Sequence, residues 1–198
     1  MTIMKKKFLS ITAIASGIII ALVACNNETK TAAAQTTVIS KDSLIKRGEY
    51  LVNVIGCDDC HSPKIMGPNG PMPDMEHRFA GYMSTLPLGK PDLSVMKNGW
   101  MLMSMDLTAA SGPWGISYSA NISSDETGIG SWTEEQFIKC LREGKLKGLD
   151  NSRPLLPPMP WPNFAKLSDT DLKAMFAFLK STKPIENVVP APKAPNEL

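Results

Sequence analysis

Cys57-Asp58-Asp59-Cys60-His61, preceded by Gly56 and followed by Ser62-Pro63, is the stretch on which the reading of this chain turns. Two thiols three positions apart can both form thioethers to one porphyrin, and the residue after the second thiol sets an imidazole beneath the iron. The pentapeptide therefore predicts one covalently held haem c, with Cys57 and Cys60 as attachment points and His61 as proximal ligand. Paired cysteines also serve other chemistries. A structural zinc site needs four closed ligands, and His77 and Cys140, the residues left to complete one, lack ligand spacing. A thioredoxin-like redox pair belongs beside a βαβ pattern, which the sequence lacks.

Outward from the motif, the hydrophobic spacing is helical. Asp42 or Ser43 can cap a helix that runs towards Ile55, with Leu44, Gly48, Leu51, Val52 and Ile55 on one face and Gly56 as its stop. Thr133-Glu134-Glu135-Gln136 is a capping box that opens a second helix, which Gly144 ends. Phe137, Cys140 and Leu141 share its apolar side, so Cys140 reads as a small buried hydrophobe. A third helix starts at Ser168, with Asp171 in its cap, carries Leu172, Met175, Phe176 and Leu179 in a stripe, and is closed by Pro184. Gly48 allows a partner helix to come close, and the Phe176 stripe is the expected filler. These stripes are core that walls a haem pocket.

Between His61 and Ser131 the chain reads as a long, loop-rich insert, with Gly67-Pro68-Asn69-Gly70-Pro71 as a turn cluster. Residues 86–107 leave a short helix and a hairpin both open. Met101, Met103 and Met105 alternate as on one face of a strand and read as core. Asp125, with Asn121 and Thr127, offers oxygen ligands, but the spacing matches no EF-hand loop and an Asx turn before Gly128 is expected.

The N-terminus speaks of place. Residues 1–24 run from Lys5-Lys6-Lys7 through an apolar stretch to Leu22-Val23-Ala24, the form of a secretory signal and too short for a stable transmembrane helix. Leu22-Val23-Ala24-Cys25 resembles a bacterial lipobox, which makes Cys25 the expected lipidation site. Residues 25–40 then form a lipid-anchored polar tether with a coil dimension of roughly 20 Å. Residues 41–185 are expected to be one monohaem domain, and 186–198 a Pro-rich tail. The precursor's net charge of +2 becomes −1 once the three lysines of residues 1–24 are removed, with 18 basic against 19 acidic residues left. No basic patch emerges, so nucleic acid is not an expected partner.

The second axial ligand decides the haem's chemistry, because a thioether favours Fe(II) and an open position permits small-molecule binding. Pro157-Pro158-Met159-Pro160-Trp161 sets one methionine among three prolines, which stiffen the loop, just ahead of the last helix. Met159 is therefore the expected distal ligand. His77, another of the twelve methionines, or no ligand at all are the alternatives.

The order of CxxCH, long insert, Met in a proline-rich loop and terminal helix resembles bacterial class I cytochromes c. Arg47-Gly48-Glu49-Tyr50-Leu51-Val52, Asn121-Ile122-Ser123-Ser124-Asp125, Thr127-Gly128-Ile129-Gly130-Ser131-Trp132 and the Met159 loop are similar to the cytochrome c subunits of membrane-associated alcohol and related dehydrogenases. The resemblance covers about residues 44–188. It implies a mostly α, class I cytochrome c-like fold with N- and C-terminal helices around one covalent haem, and electron transfer between dehydrogenase and respiratory chain. Those subunits often carry several haem domains, whereas this chain has one CxxCH. The resemblance also implies Trp132 and Arg153 as propionate contacts, since both side chains donate to carboxylates; a packed indole and a solvated arginine are the other readings.

The leading expectation is an exported, lipid-anchored one-electron carrier, not an enzyme, that works between redox proteins such as a dehydrogenase, an oxidase or a quinol-oxidising complex. The alternative is a haem enzyme, peroxidase-like or acting on sulfur compounds, with a displaceable distal position. That class usually wants a distal acid, base or cation, and the sequence singles none out. A haem gas sensor would want an output domain, of which there is no sign.

Overall fold

The computed structural model describes residues 40–85 and 88–198. The expected signal segment 1–24, the lipidation site Cys25 and tether residues 26–39 lie outside the described residues.

The first helix, α1, spans Lys41–Val54, and its cap is Ser40, one turn earlier than Asp42 or Ser43: Ser40 Oγ accepts from the Ser43 amide at 3.2 Å. Gly56, in the left-handed region at φ 75°, turns the chain into the short helix α2, Cys57–His61. The insert then folds. Lys64–Gly67 (β1) and Gly70–Pro73 (β2) form an antiparallel hairpin closed between Gly67 and Gly70. A 3₁₀ turn, Met75–His77, and a short helix α3, Leu93–Lys97, lead to β3 (Leu102–Met103), β4 (Ala109–Gly112) and β5 (Gly115–Tyr118), an antiparallel sheet in sequence order. Helix α4, Glu134–Glu143, carries the expected capping box and ends at Gly144 in the left-handed conformation. A single turn, α5 (Trp161–Phe164), precedes α6, Asp169–Leu179, capped by Ser168.

The architecture is thus mixed helix and sheet, which corrects the expectation of a mostly α fold with a loop-rich insert. The strands of the described residues all lie in the insert. They are two to four residues long and broken by glycine and proline, so no two-residue alternation could build up in the sequence. Met101, Met103 and Met105 are also corrected. They are exposed, Met105 at 91%, because Ala109, Ala110 and Ile116 supply the buried side of the sheet.

The helical frame is held by the crossing of α1 and α6. A Cβ at Gly48 would lie 1.9 Å from the Ala174 carbonyl oxygen, so only glycine permits the approach. The facing residues are Ala174 and Phe178, not Phe176, whose ring instead packs on Phe137 with centroids 5.3 Å apart. Leu172, Met175 and Leu179 are buried as their stripe predicts. Helix α6 stops at Leu179, before Pro184 is reached, because Ser181 and Thr182 hydroxyls take its last carbonyls, those of Phe178 and Leu179, at 2.6 and 2.7 Å.

The chain after α6 returns along the insert. Asn187 Nδ2 donates to the carbonyls of Ala80 (2.8 Å) and Tyr82 (3.0 Å), and Ile116 and Lys193 exchange backbone hydrogen bonds. Asn121 Nδ2 donates to Ile185 O at 2.7 Å. No helix among the described residues is long and apolar enough to cross a membrane.

Candidate haem-binding site

Helix α2 presents the whole CxxCH motif in little more than one turn. The Asp59 amide bonds Gly56 O at 3.0 Å, and a Cβ on Gly56 would come within 2.6 Å of the Asp59 carboxylate. Cys57 and Cys60 are both free thiols. Burial, reinforced by the charges of Asp58 and Asp59, pushes the Cys57 thiol up to about 12, and burial raises Cys60 as well. A redox dithiol has a lowered thiol pKa instead, and this pair is shifted the other way.

His61 is held at two points. Its ring Nδ1 lies 2.8 Å from the Ala120 carbonyl oxygen. A carbonyl only accepts, so Nδ1 carries the proton and Nε2 keeps the lone pair that a metal needs. Burial lowers the affinity of the imidazole for a second proton, against the opposing pull of the Ala120 carbonyl. The backbone carbonyl of His61 accepts from the Gly81 amide at 2.8 Å. Gly81 has φ 75° and a Cβ there would lie 2.4 Å from Ser119 O, so the segment after the 3₁₀ turn can press against residues 119–120 only as glycine. Tyr82 N to Ser119 O (2.9 Å) and Ile122 N to Phe79 O (2.8 Å) complete this cradle.

Two cations grip α2 from outside, and sequence reasoning singled out neither. Arg78 forms a fork on Asp58, Nε to Oδ1 at 2.9 Å and Nη2 to Oδ2 at 2.6 Å, while the Ser62 hydroxyl donates to Asp58 Oδ1 at 2.7 Å. Lys64 Nζ donates to the carbonyls of Asp58, Asp59 and Ser62 at 2.9, 3.0 and 2.5 Å, closing the C-terminal end of α2. Lys64 lies three residues past His61, where a basic residue completing a helix C-terminus was a usable signal. Arg78 lies twenty residues from Asp58 and left no local trace.

Met159 and Trp132 are half-buried and pack on the same apolar cluster as Cys57, with Phe164 and Ile138. The Met159 loop is tied down by Ser117 Oγ, which donates to Pro157 O at 2.6 Å, and by the Leu155 amide on Gly144 O at 2.7 Å. Trp161 lies against Gly144, where a Cβ would meet the indole at 2.4 Å. Arg153 is exposed and its Nη1 donates to the neighbouring Pro154 carbonyl at 2.9 Å. His77 is exposed and its Nδ1 pairs with Asp74 Oδ2 at 2.7 Å. Cys140 is buried in α4, with a thiol raised to about 11 by that burial. Asp125 Oδ1 accepts from the Thr127 amide (2.8 Å) and hydroxyl (2.6 Å), the expected Asx turn.

The donor set fits haem c: two free thiols on one helical turn, an imidazole with Nδ1 committed to a carbonyl, and a thioether on the same apolar cluster as Cys57. No protein-family model matches the chain. Over 140 residues, 70% of this chain, it is 34% identical to the gluconate 2-dehydrogenase cytochrome c subunit of Pantoea cypripedii. Over 146 residues, 73% of the chain, it is 33% identical to the cytochrome c subunit of the quinone alcohol dehydrogenase of Gluconobacter oxydans. The fructose dehydrogenase cytochrome subunit of Gluconobacter japonicus is 32% identical over 75% of the chain. The chain is a homologue of dehydrogenase cytochrome c subunits. It spans 23% of the length of each of these three relatives.

Proposed function

We propose that the chain is a monohaem c-type cytochrome with a class I cytochrome c-like helical frame, which passes single electrons between a dehydrogenase and a respiratory chain. The observation that carries this reading is the His61 ring, fixed through Nδ1 on Ala120 O and flanked by the free thiols of α2. The relatives, as cytochrome c subunits of dehydrogenases, support the choice of partner. One CxxCH supports one haem. When bound, haem c supplies an iron that cycles by one electron between Fe(II) and Fe(III).

In this reading Cys57 and Cys60 would anchor the group, and His61 and Met159 would be its iron ligands. Ala120 fixes the imidazole tautomer, while Trp132, Ile138 and Phe164, packed on the apolar cluster, would help exclude water from the bound group. Trp132 and Arg153 are the donors proposed for the propionates. Residues 1–24 would direct export and acyl chains on Cys25 would hold the domain at a bacterial membrane surface, facing the periplasm or the exterior.

The test uses the full chain made in a host with a haem c maturation system. Wild type should keep one haem through denaturing electrophoresis and carry acyl mass at Cys25, and C57A/C60A should keep none. Haem released from wild type by denaturation would sink the reading.

A further inference from the structure

Asp58 stands inside the attachment motif, three residues before His61, and it is largely withdrawn from water: its side chain is 16% exposed and that of its partner Arg78 is 21% exposed. A shielded carboxylate is costly unless it is paired and hydrogen-bonded. Arg78 meets it with the fork described above, and its Nη2 also reaches Asn53 Oδ1 on α1 at 2.5 Å. The guanidinium lies 4.4 Å from the centroid of the Phe79 ring and 5.9 Å from that of Phe178. Phe79 itself is fully buried at φ 66°, a backbone angle that a bulky residue adopts only when its surroundings impose it. Arg78 is thus planted by its neighbours, not swinging on the surface.

Asp58 and His61 stand three positions apart in the same short helix, so the carboxylate and the imidazole are neighbours one turn apart. Other charges lie near: Asp59 in the same motif, Lys64 on the carbonyls of α2, and Glu49 close enough to act on Arg78. Among the described residues, Arg78 is the cation that meets the Asp58 carboxylate by direct fork contact.

We propose that Arg78 sets the reduction potential of the site by neutralising Asp58, a carboxylate one helical turn from the iron ligand His61. This rests on the haem c reading. An unpaired carboxylate there favours the more positive, oxidised iron and lowers the potential; an unpaired guanidinium does the reverse. The two halves of the pair must therefore push in opposite directions. A pair that merely holds α2 in place would act differently, because loss of either half loosens the same helix, admits water and moves the potential the same way.

The experiment is an equilibrium redox titration, with mediators, of the haem-loaded full chain as wild type, R78M, D58N and R78M/D58N. The expected result is a lower potential for R78M, a higher one for D58N, and a double variant closer to wild type than either single. Shifts of the same sign in both single variants, or none in either, would overturn the proposal. Should R78M not accumulate, R78K keeps the charge without the fork: it should melt earlier yet hold the wild-type potential, and D58N must still shift upward. A downward or absent shift in D58N overturns the role of Arg78 by itself. Wild type without covalent haem would remove the cytochrome reading and this inference together, whereas covalent haem with shifts of one sign removes only the inference.

Discussion

The two sides of the candidate site are built in different ways. On the His61 side, the proposed ligand is held by hydrogen bonds: ring Nδ1 by Ala120, the backbone by Gly81, and the helix by Arg78, Ser62 and Lys64. On the Met159 side the loop carries prolines, which have no amide to donate, and it is tied through Ser117 and Leu155. An imidazole that must present one nitrogen along one direction needs a hydrogen-bonded frame. A thioether carries no proton and has three rotatable bonds, so packing against an apolar cluster suffices. The difference teaches that the region around His61 stores its precision in hydrogen bonds between distant segments, and the Met159 loop in stiffness and apolar contact.

The largest expected effect should break the first of these. Gly81→Ala puts a Cβ 2.4 Å from Ser119 O at a positive φ, and denaturant unfolding should show a loss of about 3 kcal/mol or more. If Met159→Ala proved costlier than Gly81→Ala, the contrast between the two sides would be inverted. Met159 is half-buried, so its truncation should cost about 1–2 kcal/mol, below the range of fully buried methionines. Met159→Ala should also lose the near-infrared sulfur-to-iron band of the oxidised protein and lower its potential. Retention of that band would move the distal ligand to another methionine.

Ser117→Ala sharpens the picture of the distal loop. It removes the bond to Pro157 O and leaves Trp114 Nε1 without the acceptor it has at 3.1 Å, and thermal melting should register about 1 kcal/mol. The proximal spectrum should not change. Smallest is His77→Ala, outside both sides, expected to cost under about 1 kcal/mol at neutral pH with the haem spectrum unaltered. The hydrogen bond from His77 holds the Asp74 carboxyl below its ordinary range. A depressed carboxylate contributes stability above its unfolded-state value and loses it as pH falls through the folded one. The gap between wild type and His77→Ala should therefore close on acidification through the carboxylate range, as followed by unfolding at a series of pH values.

Much of the helical frame was legible because helix signals are local. The Thr133–Gln136 capping box, Gly144 and Ser168 fix ends within one turn of themselves, and the structure places those ends there. The cap of α1 was displaced to Ser40 because several short polar residues in a row compete for one role. Gly48 announced a close crossing but not which residue it meets, since the rotation of α6 depends on how Phe176 and Phe178 are shared between Phe137 and Phe79. The insert was opaque because its strands are short and its sheet is buried by alanine and glycine, which carry little hydrophobic signal.

The sequence by itself determined the CxxCH motif and the three main helices, because cysteine spacing, caps and apolar stripes are written within a few residues. Tertiary structure alone decided how His61 is oriented and how Asp58 is neutralised. Ala120 contributes a carbonyl and Gly81 an amide, groups that every residue or nearly every residue carries, and Arg78 meets Asp58 from twenty positions away. No residue type marks such contacts in advance; they exist only once residues 78–82 and 119–122 are folded against the motif.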